Sequence, residues 1–194
     1  MTGLAIMAKA GAADYTRDPT RWGSAEIAAH FPEFEHVDVR TSGAVIRLRH
    51  GGSGPPLLLV HGNPQNHTCW YKIAARLAKH YHVILPDLRG YGDSSLPEAG
   101  ENNLNFSFRS MAQDLLEIMD QLGYDQFFVA GHDRGARVAH RMALDHSARI
   151  KRLCLMDIAP TLDMYNATDM AFARAYYHWF HLIQPAPIPE QMIG

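Results

Sequence analysis

Cysteine is nearly absent: Cys69 and Cys154 are the only two in 194 residues. Two isolated thiols predict buried packing roles in a reducing compartment and argue against a disulfide framework or a zinc cluster. No apolar run is long enough to cross a bilayer. Met1 to Ala13 also lacks the basic start and sustained apolar stretch of a secretory signal, so the expected location is the cytoplasm. Charge of one sign is missing too: 18 basic side chains face 20 acidic ones, for a net charge of −2. No basic stripe stands out, so neither nucleic acid nor a membrane is an expected partner. The pattern Gly-x-Gly-x-x-Gly does not occur, which removes the dinucleotide signature. His80 with His82, and His178 with His181, have no convincing third ligand, so no metal is expected. Repeats and low-complexity tracts are absent.

What remains is ordinary in bulk, with 47% hydrophobic and 20% charged residues. The length is sufficient for one domain with a real core. Alternation in 36–40 and 44–49 around Ser42-Gly43 predicts a hairpin. Pro56–Val60, His82–Leu85, Gln126–Ala130 and Lys151–Met156 are short continuous apolar runs, typical of buried parallel strands. Helical periodicity falls between them: Cys69–Lys79, Phe108–Leu122 with Gly123 as its stop, and Ala136–His146. Alternating strand and helix from 56 to 157 predicts an α/β class with a parallel sheet. After Pro160 the composition turns to Met and aromatics up to Phe180, then Gln184–Pro189 breaks the pattern. The expected organisation is an arm over 1–33, a core over 34–160 and the start of a helical cap over 161–194.

The most informative stretch is Gly131-His132-Asp133-Arg134-Gly135, set between an apolar strand and a helix. A sharp Gly-flanked turn at that junction is the setting of a nucleophile elbow. The elbow usually presents Ser, which attacks acyl carbons. Asp133 is a carboxylate, better suited to displacing a leaving group from an alkyl carbon and keeping an ester on itself. The bland alternative for Asp133 is an N-cap of the following helix. Arg134 and Arg137 are three apart and share a helix face near Asp133. Cations are disfavoured in a first helical turn, so two of them predict an anion to meet. A planar guanidinium pairs bidentately with a carboxylate. The competing reading is structural pairing with Asp145, Asp157 or a surface acid.

Gly131–Arg137, with His61-Gly62-Asn63-Pro64 and Asp87–Asp93, resembles the α/β-hydrolase superfamily in its haloacetate dehalogenase branch. Tyr177-His178-Trp179, followed by Gln184–Pro187, resembles the cap segment of fluoroacetate dehalogenases. The likeness covers about residues 34 to 194. It implies an α/β-hydrolase fold, incomplete in this chain, and hydrolysis of a small 2-haloacid to glycolate and halide without an organic cofactor. In this reading Asp133 is the nucleophile and Asp157, at a strand end, is the triad acid that orients a histidine. The backbone N–H groups of Asn63 and Arg134 form the oxyanion hole. Arg134 and Arg137 hold the substrate carboxylate, and His178 and Trp179 receive the halide. The bland readings are turn contacts for Asp157 and aromatic packing for Trp179. His61 is expected to be structural. The family's catalytic histidine and third halide donor are expected beyond Gly194, because His132, His140 and His146 sit on the elbow and its helix. A homodimer is compatible with the resemblance. Three alternatives stay open: an epoxide hydrolase or haloalkane dehalogenase, a non-catalytic carboxylate-binding module, and a structural or dimerisation fragment.

Overall fold

The computed structural model describes residues 25–193; the expected arm over 1–33 lies outside them up to residue 24. The chain divides into two units, residues 1–158 and 159–194.

In the first unit the short helix α1 (Ala25–Ala29) leads to an antiparallel hairpin of β1 (Glu35–Arg40) and β2 (Val45–Gly51). Next come β3 (Pro56–Val60), a 3-10 turn His67–Trp70 running into α2 (Tyr71–Leu77), and β4 (His82–Pro86). Then follow α3 (Phe108–Gln121), β5 (Phe127–His132), α4 (Arg134–Asp145) and β6 (Ile150–Met156). The described strands form one sheet in the order β1-β2-β4-β3-β5-β6. β2 meets β4 antiparallel, and β4-β3-β5-β6 are parallel. The strand–helix alternation read from 56 to 157 is therefore present as an α/β sheet.

Why the sheet is covered on both faces follows from the period of two along a strand. Leu58, Val60, Ile84 and Val129 point to one face, where α3 and α4 bury Met111, Leu115, Ile118, Val138 and Met142 against them. Leu59, Val83 and Leu85 point to the other, against Phe31, Trp70 and Ala74. Burial on both faces is what makes β3 and β4 continuously apolar; β6, last in the order of the described strands, is largely exposed, so the expectation that Lys151–Met156 is a buried strand does not hold there. Phe31, from the expected arm, is 2% exposed and belongs to this second cluster. Helix α3 starts at Ser107, whose side chain accepts from Ser110 N, and stops before Gly123 at φ 81°.

The hairpin departs from simple inside-apolar alternation. Arg47 and Arg49 of β2 are both buried. Arg47 forks onto the Asp38 carboxylate through Nε and Nη2, and Arg49 Nε donates to His67 Nε2 at 3.1 Å. A second buried pair locks α3 to the loop after β4: Arg89 Nε and Nη2 donate to Asp114 at 2.7 Å each.

The second unit holds α5 (Thr161–Asn166), α6 (Met170–Ala175), α7 (Tyr177–Leu182) and α8 (Ile188–Ile193). The aromatic stretch is thus a series of short helices. Asp169 restarts the chain by accepting from Phe172 N at 2.7 Å, an N-cap. Phe172 stacks on Tyr176 at 4.8 Å, and Trp179 packs edge-on against both.

Candidate active site

β5 runs directly into α4, and the turn between them is Asp133, with φ 49° and ψ −118°. That backbone region is costly for a side-chain-bearing residue and persists only where the surroundings enforce it. Asp133 N donates to Met156 O at 3.1 Å, which ties the turn to the end of β6. The Asp133 side chain makes no capping bond to α4. Its Oδ1 instead accepts from Asn63 N at 2.8 Å. The N-cap alternative therefore does not describe this carboxylate. One oxygen is held by a main-chain donor from the loop after β3.

His61 fixes that loop. Leu88 N donates to its Nε2 at 3.0 Å, so the ring proton sits on Nδ1, which donates to Gly62 O at 2.9 Å. Burial lowers the pKa of His61, in keeping with a neutral ring. The residue holds the peptide just before Asn63 and has no nitrogen left for proton transfer.

Arg134 opens α4 and is half-buried, with its guanidinium 6.0 Å from the Phe108 ring centroid. It also hydrogen-bonds the Tyr91 hydroxyl. A guanidinium only donates. The phenol oxygen therefore accepts from Arg134, and its hydrogen goes to Asn63 Oδ1, 3.0 Å away. This direction leaves the Asn63 NH2 as the free end of its amide. Burial pushes the Tyr91 phenol up in pKa; the Arg134 charge opposes this and the Asp133 charge adds to it. Arg137, one turn further along α4, is buried.

Asp157 follows β6 at φ 58° and is largely exposed. Its Oδ2 lies 3.7 Å from His132 Nε2, and His132 Nδ1 contacts Gln65 Oε1 at 3.1 Å. The first unit thus brings together Asn63, Asp133 and Arg134, with Arg137 on the same helix and Asp157 at the neighbouring strand end. His178 and Trp179 belong to the second unit, adjacent on α7. His178 is exposed, with its ring 5.9 Å from that of Tyr176, while Trp179 is half-buried among Tyr165, Phe172 and Tyr176. Tyr91, Gln65 and the contact between His132 and Asp157 were not anticipated from sequence. Tyr91 stands inside the Asp87–Asp93 motif, but its reach to Arg134 and Asn63 joins three separate segments. Among the described residues no group of three or more His, Cys, Asp or Glu is placed to hold a metal ion. None of the described helices is long and apolar enough to cross a membrane.

The chain is 49% identical over 164 residues to a fluoroacetate dehalogenase from Burkholderia sp, covering 84% of this chain and 54% of that protein. It is 40% identical to a soluble epoxide hydrolase from Corynebacterium sp. (strain C12), over 67% of this chain and 44% of the relative. A solved structure of the alpha/beta hydrolase kind from Nostoc sp PCC 7120 superposes with a TM-score of 0.80 at 58% identity, over 82% of this chain and 55% of that one. The chain spans about half the length of these relatives. The family model for the alpha/beta hydrolase fold matches residues 55–191, which take in the elbow, the Asn63 loop and Asp157. With that match and a strained Asp at the strand–helix turn, the chain belongs to the alpha/beta hydrolase fold family.

Proposed function

We propose that this chain carries the nucleophile half of a haloacid dehalogenase that converts haloacetate to glycolate and halide. Asp133 Oδ2 attacks the α-carbon as the carbon–halogen bond breaks, and the halide leaves with the bonding pair. The substrate carboxylate sits on Arg134 and Arg137, which orient the carbon for in-line displacement. His178 and Trp179 supply N–H donors to the departing halide. Water then adds to the Asp133 carboxyl carbon, and negative charge develops on Oδ1, where Asn63 N–H and the Arg134 N–H stabilise it. Collapse breaks the bond to the substrate oxygen, so glycolate leaves with an oxygen that began on Asp133. Asp157 holds the histidine that takes the proton from water. Among the described residues His132 is the histidine near Asp157, at 3.7 Å; the greater length of the relatives leaves room for another.

The observation that supports this reading best is the Asn63 N–H on Asp133 Oδ1 at 2.8 Å, on a carboxylate that caps nothing. That geometry serves an ester carbonyl on the nucleophile. The test is a single turnover of haloacetate in ¹⁸O-water, followed by mass analysis. The label should enter the Asp133 peptide and be absent from the first glycolate formed. Label in first-turnover glycolate would mean direct attack by water and would sink the proposal. Asp133→Asn should lower dehalogenation by on the order of 10⁴-fold or more. One halide per chain without further turnover would place the base outside these residues. Sustained release that His132→Gln abolishes would make His132 the base.

The second reading, an epoxide hydrolase, is supported by the 40% identity to the Corynebacterium enzyme. It uses the same Asp133 attack on carbon but needs no carboxylate clamp. Turnover of styrene oxide that is unaffected by Arg137→Lys would favour it.

A further inference from the structure

His50 in β2 is buried, and neither its ring nor that of His82 in β4 takes part in the chemistry above. The two rings meet edge to face across the sheet, with His50 Nδ1 3.0 Å from His82 Nε2. His82 Nδ1 lies 2.6 Å from the hydroxyl of Tyr124, in the loop between α3 and β5. At the other end, His50 Nε2 is buried without a hydrogen-bond partner among the described residues. Facing it is the exposed Glu35 at the start of β1, whose Oε2 is 3.7 Å away. A chain of four titratable side chains thus joins β1, β2, β4 and the loop after α3.

One end fixes the direction of this chain. A carboxylate only accepts, so the His50 proton belongs on Nε2, facing Glu35. His50 Nδ1 then accepts from His82 Nε2–H, and His82 Nδ1 accepts from the Tyr124 O–H. Both rings are neutral in this arrangement. Burial lowers the pKa of both. For His82 it falls to about 4, with the His50 ring adding to the effect; at His50 the Glu35 charge opposes it. Burial raises the pKa of Tyr124, so the phenol keeps its proton. The charges beside Tyr124 pair with one another: Arg149 donates to the Tyr124 carbonyl at 3.0 Å and to Asp120 at 2.6 Å.

We propose that this chain is a one-proton switch: a first proton reverses its direction without breaking it, and a second parts β2 from β4 at the two rings. The first proton enters at His82 Nδ1 as the Tyr124 O–H turns away and the phenol oxygen accepts instead. His82 passes its Nε2 proton to His50 Nδ1, and His82 Nε2 becomes the acceptor. The charge then rests on His50, whose Nε2–H can close the 3.7 Å gap to Glu35. A second proton on His82 Nε2 sets N–H against N–H between two cations, across a contact of 3.0 Å, and the contact must open. The hairpin is attached to the parallel strands at this place, His50 pairing with Ile84 and Gly51 with Val83. The switch shares no residue with the Asp133 site and does not depend on the dehalogenase reading.

The test is long-range ¹H–¹⁵N correlation spectroscopy of the histidine rings in the ¹⁵N-labelled protein, from about pH 7.5 down to about pH 3.5. At the upper end both rings should be Nε2–H tautomers. On acidification His50 should gain its second proton at the same midpoint at which His82 changes from Nε2–H to Nδ1–H. Glu35→Gln should lower that midpoint by roughly 0.2–0.7 pH unit, the weight of one exposed ion pair. At the second step, amide protection factors should fall about tenfold or more in Val45–Gly51 relative to β3 and β5. The wild-type spectra carry the test even if Glu35→Gln fails to fold. An Nδ1–H tautomer of His50 at the upper end, or separate midpoints for the two rings in the first step, would overturn the proposal. So would a midpoint unmoved by Glu35→Gln, or a loss of protection spread evenly over the sheet.

Discussion

Asp133 stores part of the cost of the site in its own backbone, at φ 49°. Glycine adopts that region freely. Asp133→Gly should therefore raise stability by on the order of 1 kcal/mol while ending covalent chemistry. Asp133→Ala, with its Cβ retained, should gain less. Thermal melts of the two variants check this, and equal melting points would mean the turn is not strained. The placement of Asp133, Arg134 and Arg137 at a helix start was legible because they sit in one short motif between an apolar strand and a helical pattern. Tyr91 was not legible. Its significance lies in whom it touches, and sequence periodicity does not report contacts between a loop, another loop and a helix. Tyr91→Phe should loosen Arg134 and release the Asn63 amide. The expected result is a several-fold rise in KM for haloacetate with a smaller change in kcat, from the loss of about two hydrogen bonds at roughly 1 kcal/mol each. A fall in kcat alone would assign Tyr91 to the chemical step instead.

At the scale of elements, the positions of β3, β4 and α3 followed the apolar pattern closely because each is buried on a defined face, whereas β6 is largely exposed. The expected strand Pro56–Val60 is β3, and the helix expected over Phe108–Leu122 is α3. The buried arginines of β2 were hidden, since an alternating Arg-Leu-Arg reads as solvent-facing until Asp38 and His67 are seen across the fold. Subdivision of the aromatic stretch was hidden too: composition shows helix-forming aromatics, whereas the breaks depend on the local cap at Asp169. The joint between α3 and the loop after β4 depends on Asp114, which holds Arg89 and also accepts from Thr41 Oγ1. Asp114→Ala would leave the Arg89 charge buried and unpaired, at a cost of about 3–5 kcal/mol. Urea unfolding should show this as a lower midpoint. A variant within about 1 kcal/mol of wild type would mean that water replaces the carboxylate at Arg89.

For the whole molecule, histidines that fold neutral are expected to lower stability in acid. The pKa of His36 is lowered to about 3 and that of His82 to about 4, each mainly by burial, from the ordinary 6.5. Below pH 6.5 the unfolded chain takes up protons that the folded chain refuses. Stability should be flat above that pH and fall as pH drops toward 4. Both rings are only partly buried, so each contributes on the order of 1 kcal/mol or less per pH unit. His36→Gln and His82→Gln should flatten the slope, read as the pH dependence of the urea midpoint; an unchanged slope in both would assign acid lability elsewhere. The sheet order was legible only as a class: alternation of strands and helices implies parallel strands, but which strands are neighbours depends on crossovers that leave no local trace. The elbow adds a constraint of another kind. A Cβ on Gly135 would run into the carbonyl oxygens of Val60 and His61, and one on Gly62 would run into the Asp133 side chain. Sheet, helix and the Asp133 carboxylate are kept in register there by the absence of atoms. Drift elsewhere can reshape the walls around the elbow without displacing the carboxylate, so under the proposed reaction substrate range and line of attack are separately heritable.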